Sequence, residues 1–323
     1  MTGVAEAAPK GQDTVIEVAL TTAALPQVPL EEAATLAPVW KPVPVMVKAF
    51  VELARPVAGD TAVMPDLQIL ADEMGQAIGL ESAPVAVFML APDADMAPFA
   101  GWTAVERHRY CQALMKARGG ERVILEADEL ACPAAAKAFG FKPLPQALQT
   151  GKGLVGFGIV AEPESGANMF SGMTCLEPGT VARLALCPLA EAPALPDVVV
   201  VEGPPEQLMW LLLAEVNLRG GERLLGSTAV LQATCVDATI IPHIEQRLNF
   251  TMGCYGCREA TDLQPAETVV GFPGARLAQL VDSLAFLSEK AVPRSRAKRA
   301  HEALVSGRAA ATDEPSPFDR RAE

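Results

Sequence analysis

Histidine and basic residues are both scarce in this 323-residue sequence, which has three histidines and 26 lysines and arginines against 39 acidic residues. The net charge of −13 argues against a nucleic-acid partner, because nucleic-acid-binding proteins usually present a basic face to the phosphate backbone. The histidines, His108, His243 and His301, stand far apart in the sequence. Neither a catalytic zinc site nor a non-heme iron site with histidine ligands is therefore predicted.

Long apolar runs are absent as well. The stretch "VVVVEGPPEQLMWLLL" comes closest, but Glu202, Gly203 and two prolines interrupt it, so no run reaches the roughly 18 to 20 residues that span a bilayer. The first residues lack the basic-then-apolar order of a signal peptide, and we expect a cytoplasmic location. P-loop and GxSxG motifs are missing, and the glycine-rich stretch "GKGLVGFG" (151–158) is predicted to open a strand.

The two ends of the chain differ from its middle. Residues 1–62 are predicted to form an N-terminal extension that is partly disordered, because its beginning is rich in alanine, glycine and proline. Residues 288–323 are predicted to form a basic helix and a disordered tail. Half of all residues are hydrophobic, so the middle can bury a large core, either as one domain or as two packed halves.

The middle contains a pattern that occurs twice, once in residues 63–190 and once in residues 191–287. Each copy is predicted to contain a buried strand, a helix that ends at Arg-Gly-Gly-Glu-Arg, a cysteine at a helix start and a later strand with Val-Gly-Phe. The first of these helices is expected to begin at a capping box of Thr103 and Glu106. The sequence therefore predicts an α/β fold of two pseudo-repeated strand-helix-strand halves packed around a central cleft.

Cysteine is the residue type that carries the functional prediction. In a reducing compartment the seven cysteines should be free, ligating or catalytic. Cys132 precedes Pro133, a favoured first helical residue, and Cys235 is expected at the equivalent start of its own helix, where a thiolate is stabilised. We expect these two sulfurs to meet between the halves, with Cys254 and Cys257 added from a glycine-flanked loop.

Four thiolates can hold either zinc or an iron–sulfur cluster. Structural zinc usually takes two close pairs of ligands, whereas only Cys254 and Cys257 form a close pair here, so the spacing favours a cluster. Cys111 competes with Cys257 as the fourth ligand, and both alternatives stay open on the residues alone. Cys175 and Cys187 have no counterpart in the other copy and are interpreted as buried or loop thiols.

Several blocks of the sequence resemble a known family. The segments "YCQALMKARGGERVILEADELACPAAAKAFGF", "PDVVVVEGPPEQLMWLL", "ATCVDATIIP", "MGCYGCREATD" and "TVVGFPGARLAQLV" look like successive signature blocks of the domain-of-unknown-function 169 family, over about residues 65–287. The resemblance implies ligands at Cys111, Cys132, Cys235 and Cys254, with Cys257 as the reserve ligand. The activity of that family is not known, so the resemblance implies a cysteine-centred function without naming a reaction.

The sequence thus predicts a cytoplasmic protein that holds an iron–sulfur cluster of the [4Fe–4S] type. The cluster would relay electrons to a redox partner protein, or would act as a Lewis acid on a small-molecule substrate with Arg258 and Asp237 as catalytic groups. Zinc or no metal is the alternative. A metal-free thiol enzyme with Cys254 and Cys257 as a redox pair, a non-catalytic binding or assembly factor, and a homo-oligomer all remain open.

Overall fold

A seven-stranded sheet runs through residues 65–307, the part of the chain that the computed structural model describes. The strands are β1 (Val85–Leu90), β2 (Thr103–Ala104), β3 (Val123–Glu126), β4 (Arg183–Pro188), β5 (Val198–Gly203), β6 (Asn249–Thr251) and β7 (Thr268–Pro273). Their order across the sheet is β2-β3-β4-β1-β5-β7-β6. Every neighbouring pair is antiparallel except β2 and β3.

Helices cover both faces of this sheet. They are α1 (Leu67–Ile78), α2 (Tyr110–Arg118), α3 (Pro133–Ala138), α4 (Gln146–Gln149), α5 (Lys152–Gly156), α6 (Pro163–Ser171), α7 (Pro205–Leu218), a π-helix (Ala233–Ile240) that continues as α8 (Ile241–Glu245), α9 (Tyr255–Ala260), α10 (Leu277–Ala297) and α11 (Arg299–Val305). Short 3₁₀ turns occupy Ala97–Phe99, Leu189–Glu191 and Gly274–Arg276. None of the helices described in residues 65–307 is both long and apolar enough to cross a membrane.

The central strands consist of β-branched residues because both of their faces are buried. In β5, Val198 and Val200 face one apolar cluster, and Val199 and Val201 face another. The first cluster contains residues of α2, α3, the π-helix and α9, and we call this side of the sheet the cysteine face. The second contains residues of α1, α7 and α10, and we call it the opposite face.

The mixed α/β class is confirmed, but the connections are not those of a parallel sheet. The buried strands of the two predicted halves, β1 and β5, pair with each other in antiparallel orientation. The two helices that end at Arg-Gly-Gly, α2 and α7, pack on different faces of the sheet. The duplication of the two halves around a cleft therefore stays a prediction.

Two local predictions from the sequence are wrong. The first helix does not begin at Thr103, because Thr103 and Ala104 pair with β3 as the edge strand β2, and Arg107 takes a positive φ of 52° before α2 starts. The segment 151–158 does not open a strand. It forms α5, which Gly151 precedes with a φ of 70°, and the short helix α4 stands before it. Its letters match the GxGxxG spacing, but the strand that this dinucleotide-binding motif requires is not there.

The structure tests little of the domain prediction at the two ends of the chain. The N-terminal extension and the tail beyond residue 307 lie outside the described residues. The helix α10 begins at Leu277 and runs through the predicted boundary at residue 288, with Pro293 inside it. The basic residues that follow are thus part of a helix that packs on the opposite face and continue into α11.

Candidate functional site

Five cysteines lie at or near the start of a helix on the cysteine face. Cys132 is the N-cap of α3, and Cys254 is the N-cap of α9. Cys111 and Cys257 lie in the first turns of α2 and α9, and Cys235 lies in the first turn of the π-helix. The predicted helix start at Cys132 is confirmed, whereas the cap of the π-helix is a different residue, three positions before Cys235.

All five of these cysteines line one cavity of about 190 Å³. Four of the five are buried, and Cys132 is half-buried. The other lining residues are Arg109, Tyr110, Ala131, Pro133, Ala134, Ala135, Leu231, Thr234 and Gly256. Sulfurs that are up to 146 positions apart in the sequence thus come together in one place, and Cys132 and Cys235 face the same space.

Cys257 is at the centre of the sulfur contacts. Its Sγ lies 2.7 Å from Sγ of Cys254 and 3.2 Å from the hydroxyl of Thr234. Its backbone N–H donates to Sγ of Cys254 at 3.1 Å, which fixes the turn that opens α9. The cysteines at 254 and 257 are therefore already in contact before any ligand or oxidant acts on them.

These contacts make one thiolate easier to form than the others. Hydrogen bonding from Cys111 and then from Cys254 lowers the pKa of Cys257, and Thr234 lowers it further against the effect of burial. The same interactions with Cys257, together with burial, raise the pKa of Cys111 and of Cys254. Burial also raises the pKa of Cys235. The thiolate of Cys257 is therefore favoured over the thiolates of its neighbours Cys111 and Cys254.

Arg109 brings a positive charge to the cavity lining. Its Nη1 donates to Oε2 of Glu259 at 2.7 Å and to the backbone carbonyl of Gly256 at 3.2 Å. The side chain of Gln112 links the same two helices, since it accepts from the backbone N–H of Arg109 and donates to the carbonyl of Ala260. Helices α2 and α9, which carry three of the five cysteines, are therefore tied together beside the cavity.

A buried ion-pair cluster lies close to the thiols. Nη1 of Arg118 is 3.0 Å from Glu202 and 3.9 Å from Glu267, and Nη2 of Arg118 contacts Asp262. Burial raises the pKa of Glu202 to about 7 although Arg118 acts in the other direction, and the thiol of Cys257 adds to the rise. The arginine that ends α2 is thus bound to acidic side chains of the protein itself.

The two residues predicted as catalytic do not line the cavity. The guanidinium of Arg258 donates to the backbone carbonyls of Met252, Gln264 and Glu267, and so holds together the segment that carries Cys254 and Cys257.

Asp237 is a buried residue of the π-helix outside the cavity lining. Its Oδ2 accepts from the hydroxyl of Thr228 at 2.6 Å, and its carbonyl accepts from the side chain of Asn249 at 2.8 Å. Burial raises the pKa of Asp237 to about 6, while hydrogen bonds from Thr228 and Thr251 lower it. The side chain therefore anchors the loop before the π-helix, whose Leu231 reaches the cavity.

The sequence interpretation missed three polar residues of the cavity, Arg109, Tyr110 and Thr234. The hydroxyl of Tyr110 bonds that of Thr239 in the π-helix at 2.8 Å, so α2 and the π-helix are joined by a buried hydrogen bond. All three residues stand within two positions of Cys111 or Cys235 in the sequence, and that adjacency was the available signal. Cys175 and Cys187 are not in the cavity lining, in agreement with their interpretation as buried or loop thiols.

The donor set decides which metal groups suit this site. Within residues 65–307, no three His, Cys, Asp or Glu side chains are already spaced to hold a single metal ion. The chemistry of the lining is nevertheless that of thiolate ligation, because it offers five sulfurs and no carboxylate or imidazole. Such a set fits an iron–sulfur cluster or a four-cysteine zinc better than it fits a hard cation.

Comparison with known proteins places this chain in a family. The sequence pattern of the DUF169 family, described as "Uncharacterised ArCR", matches residues 73–283. The chain belongs to this family. A relative, "Uncharacterized protein MJ0308" of Methanocaldococcus jannaschii, is 28% identical over 203 residues, which cover 62% of this chain and 86% of that protein. No solved structure matches the chain significantly.

Proposed function

We propose that this DUF169 protein binds an iron–sulfur cluster, of the [4Fe–4S] type, in the five-cysteine cavity. The observation that supports this function is the convergence of cysteines from four separate helix starts on one cavity without any histidine or carboxylate in its lining. Thiolates are the ligands that iron–sulfur clusters use, and ligands scattered over a chain suit a cluster better than a structural zinc. When bound, the cluster would supply electron transfer or Lewis-acid chemistry.

The sulfur contacts suggest how five cysteines provide four ligands. Each iron of a four-iron cluster takes one thiolate, so two sulfurs that touch each other are poor candidates to serve two irons together. Cys254 and Cys257 form such a pair, at 2.7 Å. We therefore assign Cys111, Cys132, Cys235 and Cys254 as ligands, and keep Cys257 as the reserve ligand.

The two-half architecture is part of the same proposal. Outward from the central pair of β1 and β5, the strands are β4, β3 and β2 on one side and β7 and β6 on the other, so each predicted half would supply one side of the sheet. Cys111 and Cys132 come from residues 63–190, and the remaining three come from residues 191–287. The cavity would be the cleft of the repeat, although α2 and α7 lie on different faces of the sheet, which a symmetric repeat does not predict.

The remaining roles follow from the positions of the side chains. We assign Arg258 and Asp237 as positioning residues, because the first holds the segment around Cys254 and the second anchors the loop that ends at Leu231. A small-molecule substrate or a redox partner protein in the cytoplasm would meet the cluster through the mouth of the cavity, where Cys132 is half-buried.

Anaerobic purification of the full chain tests this function. We expect about four iron and four sulfide per chain, together with visible absorbance that bleaches on oxidation. Cys132→Ala and Cys235→Ala should each lose most of the iron. Cys187→Ala is the matched control, because Cys187 is a fully buried thiol on the opposite face. Colourless protein with about one zinc, or equal iron in all three variants, would reject the cluster.

A second function is favoured by the geometry of one pair. Cys254 and Cys257 stand at the start of a helix with their sulfurs in contact, and the pKa of Cys257 is lowered, as in dithiol redox proteins. A metal-free thiol enzyme would lose two free thiols per chain on mild oxidation, and peptide mapping would find the bond between residues 254 and 257. Cluster-free protein that keeps all seven thiols under the same treatment excludes this candidate.

A further inference from the structure

Arg109 is the one charged residue in the lining of the five-cysteine cavity, within the part of the chain that the structure describes. The half-buried Cys132 lines the same cavity, so the guanidinium and the most accessible of the five thiols border one space.

The guanidinium keeps part of its binding capacity. Both of its hydrogen bonds, to Glu259 and to the carbonyl of Gly256, use Nη1 alone. Among residues 65–307, no acceptor is bonded to its Nε or Nη2. Two parallel N–H groups of an arginine match the two oxygens of a carboxylate, which a lysine cannot reproduce.

The ion-pair partner of Arg109, Glu259, is an exposed side chain that a ligand can displace. The ion pair is exposed, at 40% for Arg109 and 56% for Glu259, and exposed pairs contribute little to stability. A ligand carboxylate could therefore bind Arg109 beside Glu259 or displace it at small cost. The cavity of about 190 Å³ is below the roughly 300–1,000 Å³ of drug-sized sites, so such a ligand would have few atoms.

We propose that the cavity takes a small carboxylate, which Arg109 binds through its free N–H groups and so places next to Cys132. This assignment rests on the five-cysteine cavity being the functional site, as proposed above, and names the chemical class of its substrate. A neutral molecule of the same size lacks the charge that Arg109 recognises. If Arg109 only ties α2 to α9, the cavity should not distinguish a carboxylate from a neutral molecule of the same size.

Two alkylating reagents that differ only in this group provide the test. Iodoacetate carries a carboxylate and iodoacetamide a neutral amide, and with both a thiolate sulfur forms a bond to carbon while iodide leaves. The reduced, metal-free full chain is treated with each reagent, the rates are divided by those of a free thiol, and mass spectrometry locates the adducts. We expect iodoacetate to modify Cys132 about tenfold faster than iodoacetamide after this normalisation.

Matched variants separate recognition from packing. Arg109→Gln should abolish the preference for iodoacetate and leave the iodoacetamide rate within about twofold, and Arg109→Lys should keep only part of it. Glu259→Gln should increase the preference because it removes the competing carboxylate. No preference in the native chain, or equal loss of both rates in Arg109→Gln, overturns the proposal.

The test does not depend on the cluster. If the chain binds no iron but prefers iodoacetate, the carboxylate site is supported and the proposed cluster is rejected. If it binds iron but shows no preference for iodoacetate, the cluster is supported and the carboxylate site is rejected. Cys132→Ala completes the set, since the fast iodoacetate adduct should disappear in that variant.

Discussion

The two faces of the sheet are built from different kinds of helix. On the opposite face, α1, α7 and α10 are 12, 14 and 21 residues long and bury leucine, methionine and aromatic side chains. On the cysteine face, α2, α3 and α9 have nine residues or fewer, and many buried positions there are alanine or cysteine. The helices of the cysteine face thus pack on the sheet and also line a cavity with their first turns, whereas the long helices of the opposite face pack their sides on the sheet and on one another.

The difference separates stability from chemistry. Long amphipathic helices bury much apolar area per element, and that area stabilises the sheet. Short helices bury less, but their starts bring several thiols together, where hydrogen bonding from Cys111 lowers the pKa of Cys257 while burial raises that of Cys235. We infer that the opposite face supplies most of the folding energy and that the cysteine face is free to keep a cavity.

The largest expected difference between the two faces is the loss of stability when a buried side chain is truncated on each of them. Leu211→Ala removes a fully buried side chain of α7 and should destabilise the protein by about 2–5 kcal/mol, because the sheet and α10 cannot close the void. Cys235→Ala in metal-free protein should cost about 1 kcal/mol or less, because only one sulfur atom is removed and it already borders a cavity. Urea unfolding of the metal-free variants measures both values. Equal losses would show that the two faces contribute alike.

The two arginines of the repeated Arg-Gly-Gly motif give the next comparison. Arg118→Gln should cost about 2 kcal/mol, because the buried guanidinium loses its charged contacts with Glu202 and Asp262, while the carboxyl of Glu202 protonates once its cation is gone. Arg219→Gln is the matched control: Arg219 pairs with the exposed Glu222, and its loss should cost less than about 1 kcal/mol. Similar unfolding midpoints for the two variants would mean that the buried pair contributes nothing beyond an exposed one.

Much of this site was predictable from the sequence, since helix-start signals need only local chemistry. Cys132 before Pro133 predicted a cap that the structure confirms, and the sulfurs expected to meet do line one cavity. The glycines after Arg118 and Arg219 predicted where α2 and α7 end, and both helices stop there.

Other features depend on contacts between distant residues and were not predictable in this way. Thr103 and Glu106 form an acceptable capping box by their letters, but pairing of Thr103 with Val123 in the sheet overrides the helix signal. The face on which a helix packs is likewise decided by tertiary contacts, so the repeat suggested equal environments for α2 and α7, which they do not have. The contacts of Arg109 with α9 link residues about 150 positions apart, and no local pattern reports them.

A further effect is expected in the pH dependence of stability, because the cysteine face contains the buried acid Glu202. Burial raises the pKa of Glu202 from 4.5 to about 7 in the folded state, with Cys257, Glu267 and Asp262 adding to the rise and Arg118 opposing it. Because the folded pKa lies above the unfolded one, the protonated carboxyl stabilises the fold below about pH 4.5, and this contribution is lost as the pH rises to about 7. We expect the loss to be roughly 2–3 kcal/mol in the native chain.

The variant Glu202→Gln tests this expectation, because its side chain cannot ionise. Its free energy of unfolding relative to that of the native chain should increase over that pH interval by the same amount, as urea unfolding at several pH values would show. Parallel curves for the two proteins would mean that Glu202 ionises normally and that the cysteine face carries no buried acid of raised pKa at this position.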